Sequence, residues 1–144
     1  MRKSILTLLL LSSLTLAKTQ IIANPLNLNY RFQQREIPHR EAADPVIELF
    51  KGKYYLFASP SGGYWSSEDL ANWDFIPCRS IDIIKEYAPG VFTLGDTLYY
   101  MANHSHRIFA TVNPDKDEWF EIPSQLGLSE TDPAFFLDEE TGRV

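Results

Sequence analysis

The sequence predicts an all-β chain built from repeated four-stranded sheets, the blades of a β-propeller. A short phrase recurs: Ala43-Asp44-Pro45-Val46-Ile47, Tyr87-Ala88-Pro89-Gly90-Val91 and Thr131-Asp132-Pro133-Ala134-Phe135, with prolines 44 residues apart at 45, 89 and 133. After each of the first two phrases come an apolar run, a glycine turn and a tyrosine pair: Gly52 then Tyr54-Tyr55, and Gly95 then Tyr99-Tyr100. Farther on, Trp73…Ile76-Pro77 and Trp119…Ile122-Pro123 keep the same internal spacing. Self-similarity at a period of 20–50 residues is the mark of a repeat architecture, and four short strands per unit of about 45 residues is the blade of a propeller.

The first 17 residues are expected to lie outside the fold. Arg2 and Lys3 precede an apolar stretch from Ile5 to Leu16, and Thr15-Leu16-Ala17 offers small residues where a signal peptidase cuts, so the segment reads as a secretory signal rather than a membrane span. No cysteine stands near the cleavage point to take a lipid anchor. Residues 18–42 read as an extended N-terminal leader. Within it, Asn24 to Phe32 alternates apolar and polar residues, as a strand or extended arm does.

Residues 43–144 are the propeller segment. In the first unit, Pro45 to Phe50 and Tyr54 to Ser59 flank the turn Lys51-Gly52-Lys53. Neither run alternates cleanly, and near-continuous apolar strands are buried on both faces, as in stacked sheets. Pro60 to Gly63 breaks the chain, Tyr64 to Ser67 forms a third strand, Asp69 to Trp73 turns back, and Asp74 to Pro77 is the outer strand. In the second unit the strands are Val91–Leu94, Leu98–Ala102, Arg107–Val112 and Glu118–Pro123, with Asn113 to Asp117 as a turn. Helical periodicity is absent, apart from one helical turn between Ser80 and Tyr87. The third unit opens at Asp132 and runs to the turn Asp138-Glu139-Glu140-Thr141-Gly142. Two and a half blades do not close a ring, and closure is what removes sheet edges in this architecture, so the expectation is an N-terminal piece of a longer protein.

Composition narrows the partners. The chain has 144 residues, 44% hydrophobic and 22% charged, as in ordinary globular proteins. Its net charge is −6, and loss of Arg2 and Lys3 leaves 11 basic against 19 acidic residues, a net −8. That balance argues against nucleic acid, whose phosphates need a basic surface. Aromatic content of 13% suits both strands and sugar-stacking platforms. Cys78 is the single cysteine, which leaves an exported chain no internal disulfide; it reads as a small apolar residue near a strand end.

The candidate chemistry sits in the repeated phrase. In a propeller the innermost strand of each blade lines the axis and its start opens into a central funnel. Asp44 and Asp132 both stand at such starts, each followed by a proline that pushes its backbone toward extended conformations. Hydrolysis of a glycosidic bond needs two carboxyl groups, which in inverting enzymes stand about 6.5–9.5 Å apart to admit water. A further carboxylate nearby raises the acid's pKa by repulsion. Tyr64 and Trp65, after a Gly-Gly loop, are candidates to stack on sugar. His104 and His106 lie in a loop near the site, though solvated or satisfied histidines are the plainer reading. Trp73 and Trp119, at equivalent places, read as packing between sheets. Asp69 and Asp138 read as braces of their turns.

Taken together, Ala43-Asp44-Pro45, the Tyr-Tyr hairpin, Ser66 to Trp73, Tyr87-Ala88-Pro89 and Asp132 to Asp138 resemble glycoside hydrolase family 43, over roughly residues 24–144. That family consists of five-bladed propellers acting on arabinan, xylan and galactan side chains. The resemblance implies that Asp44 is the general base and Asp132 the residue that orients the general acid and tunes its pKa. The acid itself, a Glu from a later blade, matches no position here, so this piece alone is expected to be inactive. The family's usual Trp before Ala-Pro is Tyr87, which leaves room for an aromatic subsite, and the acidic residue often found after that proline is Gly90; Tyr87, Trp65 and His104 are the candidate substrate contacts. A carbohydrate is the implied partner and export, secreted or periplasmic, the implied location. No cofactor is required; some relatives carry a structural calcium on the axis. Two other readings stand beside this one: a non-catalytic carbohydrate-binding propeller, and a retaining, fructan-active relative with an aspartate nucleophile.

Overall fold

The computed structural model describes residues 43–123 and 131–144. The expected signal (residues 1–17) and the expected leader (residues 18–42) lie outside the described residues. The described chain is all-β, with two antiparallel four-stranded sheets joined in sequence. The first sheet holds β1 (Val46–Phe50), β2 (Lys53–Phe57), β3 (Gly63–Ser67) and β4 (Asp74–Pro77). The second holds β5 (Gly90–Leu94), β6 (Thr97–Met101), β7 (Ile108–Asn113) and β8 (Glu118–Ile122). Each sheet is ordered as the chain runs, every strand pairing with the next. Two short 3₁₀ turns complete the elements, Asp82–Lys85 between the sheets and Pro114–Lys116 before β8. The first is the helical turn expected after Ser80; the second occupies the expected Asn113–Asp117 turn. No helix among the described residues is long and apolar enough to cross a membrane.

Turn chemistry sets the register of the inner hairpins. Lys51 and Gly52 both take positive φ, 50° and 80°, the pattern of a type I′ turn whose twist matches the flanking strands. In the second sheet only the first turn residue, Gly95, has positive φ (58°), the pattern of type II′. Both hairpins pair in the same frame: Val46 opposes Phe57, and Gly90 opposes Met101, each 44 residues on. This frame corrects the alignment of the tyrosine pairs. Tyr55 corresponds to Tyr99 and Leu56 to Tyr100, so the two pairs are one residue out of step. Because side chains alternate across a strand, one residue reverses the face. Tyr55 faces the second sheet from the first, whereas Tyr100 faces back across the same interface, and both lie in one buried cluster.

That interface is the core. Phe57, Tyr64, Tyr100 and Trp119 meet between the sheets, with Phe57 stacked on Tyr64 at 4.7 Å and Trp119 edge-on to Phe57, Tyr64 and Tyr100 at about 6 Å. The polar atoms carried into it are paired. The Trp119 indole donates to the Tyr64 hydroxyl (3.0 Å), which donates to the Pro114 carbonyl (2.6 Å). A buried tyrosine without such partners would lose far more than the net value of one hydrogen bond. Burial pushes the Tyr64 and Tyr100 hydroxyls well above the ordinary tyrosine range. At the seam's rim Lys53 pairs with Asp115 (2.7 Å), which also accepts from the Tyr55 hydroxyl (3.0 Å). A smaller apolar cluster of Leu56, Ala58, Trp65 and Trp73 lies on the other face of the first sheet.

The innermost strands depart from expectation. β1 was expected to be buried on both faces, yet its burial alternates, and Ile47 and Leu49 are 46% and 53% exposed among the described residues. The face carrying Val46, Glu48 and Phe50 meets the second sheet, where the Glu48 carboxylate accepts from the Thr93 amide (2.9 Å). It is β3 that is buried along its whole length. Residues 131–144 do not form a strand but lie against β5: Phe135 stacks on Phe92 at 6.0 Å, and the Asp138 and Arg143 backbones form an isolated bridge. Asp138 accepts from the Glu140 and Thr141 amides, and Asp69 from Ala71 and Asn72, so both brace their turns as expected.

Candidate functional site

The three phrases converge on one end of the sheets. Each precedes an inner strand or its equivalent, and the loops that follow β2 and β6 return to the same end. One backbone hydrogen bond ties loop to phrase in each unit: the Ser59 amide donates to the Ala43 carbonyl (2.8 Å), and the Asn103 amide to the Tyr87 carbonyl (2.9 Å). Two further bonds tie each loop to the next unit. The Ala88 amide donates to the Ser59 hydroxyl (3.0 Å), and the Asp132 amide donates to the Asn103 side-chain carbonyl (2.8 Å). Ser59 and Asn103 are themselves 44 residues apart. The same latch is therefore built twice with different side chains.

The residues at the centre of the phrase share an unexpected backbone. Asp44, Ala88 and Asp132 have φ of 50°, 48° and 53°. The proline that follows Asp44 and Asp132 was expected to hold them extended; instead all three residues are left-handed. This region costs an L-residue roughly 1–2 kcal/mol, and aspartate tolerates it better than most. Alanine has no polar side chain to compensate, so its presence at 88 shows that the surroundings impose the conformation. The amide of each residue in the second and third phrases is spoken for by the latch, which fixes its direction.

Asp44 and Asp132 are both exposed at this end. The Ser59 hydroxyl donates to Asp44 Oδ2 at 2.9 Å, and Ser59 is fully buried. Tyr87, partly buried, belongs to the second phrase, and His104 follows the latch residue Asn103 with an exposed, left-handed backbone. Asp44, Tyr87, His104 and Asp132 thus lie at one end of the structure. Trp65 does not join them. It sits within β3, is 1% exposed, and packs against Phe75 at 5.2 Å, so its ring has no face to offer a sugar. Tyr64 is equally enclosed, in the seam between the sheets. The Gly-Gly loop before them reads as a route to the funnel, but Gly63 is there because a Cβ would fall 2.3 Å from the Ile76 carbonyl oxygen.

The residue after the second proline is explained by the same packing. Gly90 replaces the acidic residue expected by resemblance, and a Cβ at this place would meet the Pro133 carbonyl oxygen at 2.7 Å. The third phrase passes too close for any side chain. Ser59 and Asn103 went unnoticed in the sequence, although each stands 14 residues after the proline of its unit and each is polar at the end of an apolar strand.

Two concavities among the described residues lie away from this end. A groove of about 420 Å³ runs between β5–β8 and residues 134–144, lined by Phe92, Leu94, Tyr99, Met101, Ile108 and Ile122 with Phe135. None of the four residues gathered at the phrase end lines it. Its lining is apolar, and it is a packing seam rather than a place for a sugar's hydroxyls. A polar hollow of about 240 Å³ lies at the opposite end of the first sheet, around Ser66, Glu68, Asp69 and Asp74. Among the described residues no three His, Cys, Asp or Glu side chains gather to hold a metal ion. Cys78 is buried. Burial, then the hydrogen bond and charge of Asp117, push its thiol up to about 12, which leaves it unreactive. No family model, curated protein or solved structure matches the chain.

Proposed function

We propose that the chain forms the first blades of a propeller-type, exported glycoside hydrolase that inverts configuration and acts on arabinose-, xylose- or galactose-containing polysaccharides or their oligosaccharides. Asp44 acts as general base: its carboxylate takes a proton from water as the water oxygen attacks the anomeric carbon. The leaving oxygen takes a proton from a general acid, a glutamate that matches no position among the 144 residues. Asp132 orients that acid and raises its pKa by like-charge repulsion. Tyr87 and His104, at the same end, are the candidates to contact the sugar.

One observation carries this reading. Asp44 and Asp132 occupy the same place in two statements of one repeat, both exposed at one end on the same left-handed backbone. A repeat that presents carboxylates from equivalent positions of two units brings both to one end of the sheets, where one can serve as base while the other tunes an acid supplied from elsewhere in the protein.

The test is substitution in the full-length protein. Asp44→Ala is expected to lower hydrolysis of arabino-, xylo- or galacto-oligosaccharides at least a thousandfold while the circular dichroism spectrum is kept. A thousandfold is the middle of the range of about 10²–10⁴ that general-base catalysis contributes. Near-normal turnover in a folded Asp44→Ala protein rules the assignment out. Proton NMR of the first-formed product reads the anomer: inversion is expected, and retention would point to an aspartate nucleophile instead.

A further inference from the structure

We infer that Ser59 is a positioning residue for Asp44, linking the setting of that carboxylate to the placement of the following unit. The inference rests on the assignment of Asp44 as general base.

The geometry forces the direction of the bonds. A serine hydroxyl has one proton and two lone pairs. One lone pair accepts from the Ala88 amide at 3.0 Å. An amide can only donate, so the hydroxyl proton remains for Asp44 Oδ2, 2.9 Å away. Ionised aspartate can only accept, and a hydrogen bond to a charged group is about twice as strong as one between neutral groups. The Ser59 amide meanwhile donates to Ala43, next to Asp44 in the chain. Ser59 therefore grips the Asp44 turn at two points, by backbone and by side chain, while its oxygen holds the neighbouring unit. Ser59 itself is fully buried, so its hydroxyl has these two partners rather than bulk water.

The repeat shows what is special here. At the equivalent place in the second unit, Asn103 keeps the backbone bond to its own phrase and the latch to the next. Its own phrase carries Ala88, so there is no carboxylate to hold. A hydroxyl can accept from the next unit and donate to its own aspartate through one atom. An asparagine carbonyl oxygen accepts only. Latching alone is satisfied by either residue; latching and holding a carboxylate through one and the same atom is open only to the hydroxyl. The left-handed backbone of Asp44 adds to the need, because this conformation stays populated only where its surroundings over-determine it.

The experiment compares Ser59→Ala and Ser59→Thr with Asp44→Ala, each in the full-length protein, by steady-state kinetics and thermal melting. Ser59→Ala is expected to lower kcat about ten- to a hundredfold with KM within about twofold, since a misaimed catalytic group costs up to about 10² in rate without loss of ground-state binding. Ser59→Thr keeps the hydroxyl and is expected to restore kcat to within about threefold. A Ser59→Ala protein that melts lower but turns over with unchanged kcat would falsify the inference, because that is the pattern of a purely structural latch. If Ser59→Ala fails to fold, Ser59→Thr and Ser59→Cys decide: equal kcat in both overturns it, since the thiol nearly matches the size of the hydroxyl but is only a weak donor. If Asp44→Ala is itself near-normal, the assignment of the base fails, and that outcome is separate from any of these.

Discussion

The first and second units have the same strands, the same hairpin frame and the same latch, yet they use their central residue differently. Asp44 carries a carboxylate held by a buried hydroxyl; Ala88 carries none, and its latch residue is an asparagine. The backbone is left-handed at both. The shared conformation therefore belongs to the fold rather than to the chemistry. It aims whatever side chain stands at the phrase toward the end of the sheets, and catalysis, where it exists, borrows a direction the repeat already supplies. Breaking Asp44 should abolish activity and breaking Ser59 should impair it, whereas changes at their counterparts Ala88 and Asn103 should be read in stability alone.

The largest stability difference between the units is expected at the paired tryptophans. Trp73 and Trp119 are 6% and 8% exposed, nearly identical, yet their company differs. Trp119 touches Phe57, Tyr64 and Tyr100 across the main seam, and its indole N–H completes the Tyr64 chain of hydrogen bonds. Trp73 belongs to the smaller cluster on the first sheet's other face and donates to the nearby Leu70 carbonyl at 3.2 Å. Trp119→Ala is expected to destabilise by about 3–5 kcal/mol, at the top of the range for large-to-small core changes. Trp73→Ala is expected to fall about 1–2 kcal/mol below that, because its cluster is smaller and can relax. Urea unfolding of both variants measures it; equal losses would mean that the two sheet faces are equally packed.

Much of this fold was legible in the sequence because its signals are local. Each of the eight strands falls within about two residues of its expected bounds, as Gly, Pro and aromatic patterning mark them without reference to the partner sheet. The turn roles of Asp69 and Asp138 and the inert burial of Cys78 were equally plain. What escaped depends on the next unit. The tyrosine pairs look equivalent by eye, and only the pairing of Val46 with Phe57 and of Gly90 with Met101 shows them one step apart. The left-handed backbone before each proline runs against the local preference, and a tertiary latch imposes it. Trp65 reads as a sugar platform beside a glycine loop, but its enclosure comes from Phe75, Leu56 and Trp73, which periodicity alone does not bring together. Ser59 and Asn103 differ in residue type, so a search for repeated letters passes over them even though their positions repeat.

Gly90 offers the next break in the comparison. Val46 stands at its equivalent place and packs against the core between the sheets. At Gly90 the Pro133 carbonyl oxygen lies 2.7 Å from where a Cβ would be, and that oxygen is backbone, with little freedom to move. Gly90→Ala is expected to destabilise by about 1–3 kcal/mol, the scale of overpacking, and to loosen residues 131–135 from β5. Hydrogen exchange at the Asp132 amide, which donates to Asn103, should quicken more than exchange in β1–β4. Uniform change across both sheets would mean that the third phrase is not docked as a separate contact.

The smallest expected effect tests the backbone that the phrases share. In a left-handed conformation, Ala88→Gly removes the Cβ penalty of roughly 1–2 kcal/mol. Against this stand the greater chain entropy of glycine, about 0.5–1 kcal/mol, and the loss of one buried methyl, about 0.8 kcal/mol. These offset, and the net change should lie within about 0.5 kcal/mol of zero. Ala88→Val should separate the possibilities further. A β-branched residue at positive φ is an outlier, so valine there is expected to cost more than about 2 kcal/mol. Were residue 88 extended, as a residue before proline ordinarily is, the order would reverse: valine would be tolerated better than glycine, because its χ1 and backbone preferences suit extended chain. Thermal melting of the two variants therefore reads the sign of φ at Ala88. By the repeat it also bears on Asp44, where any substitution that probes the backbone would remove the carboxylate as well.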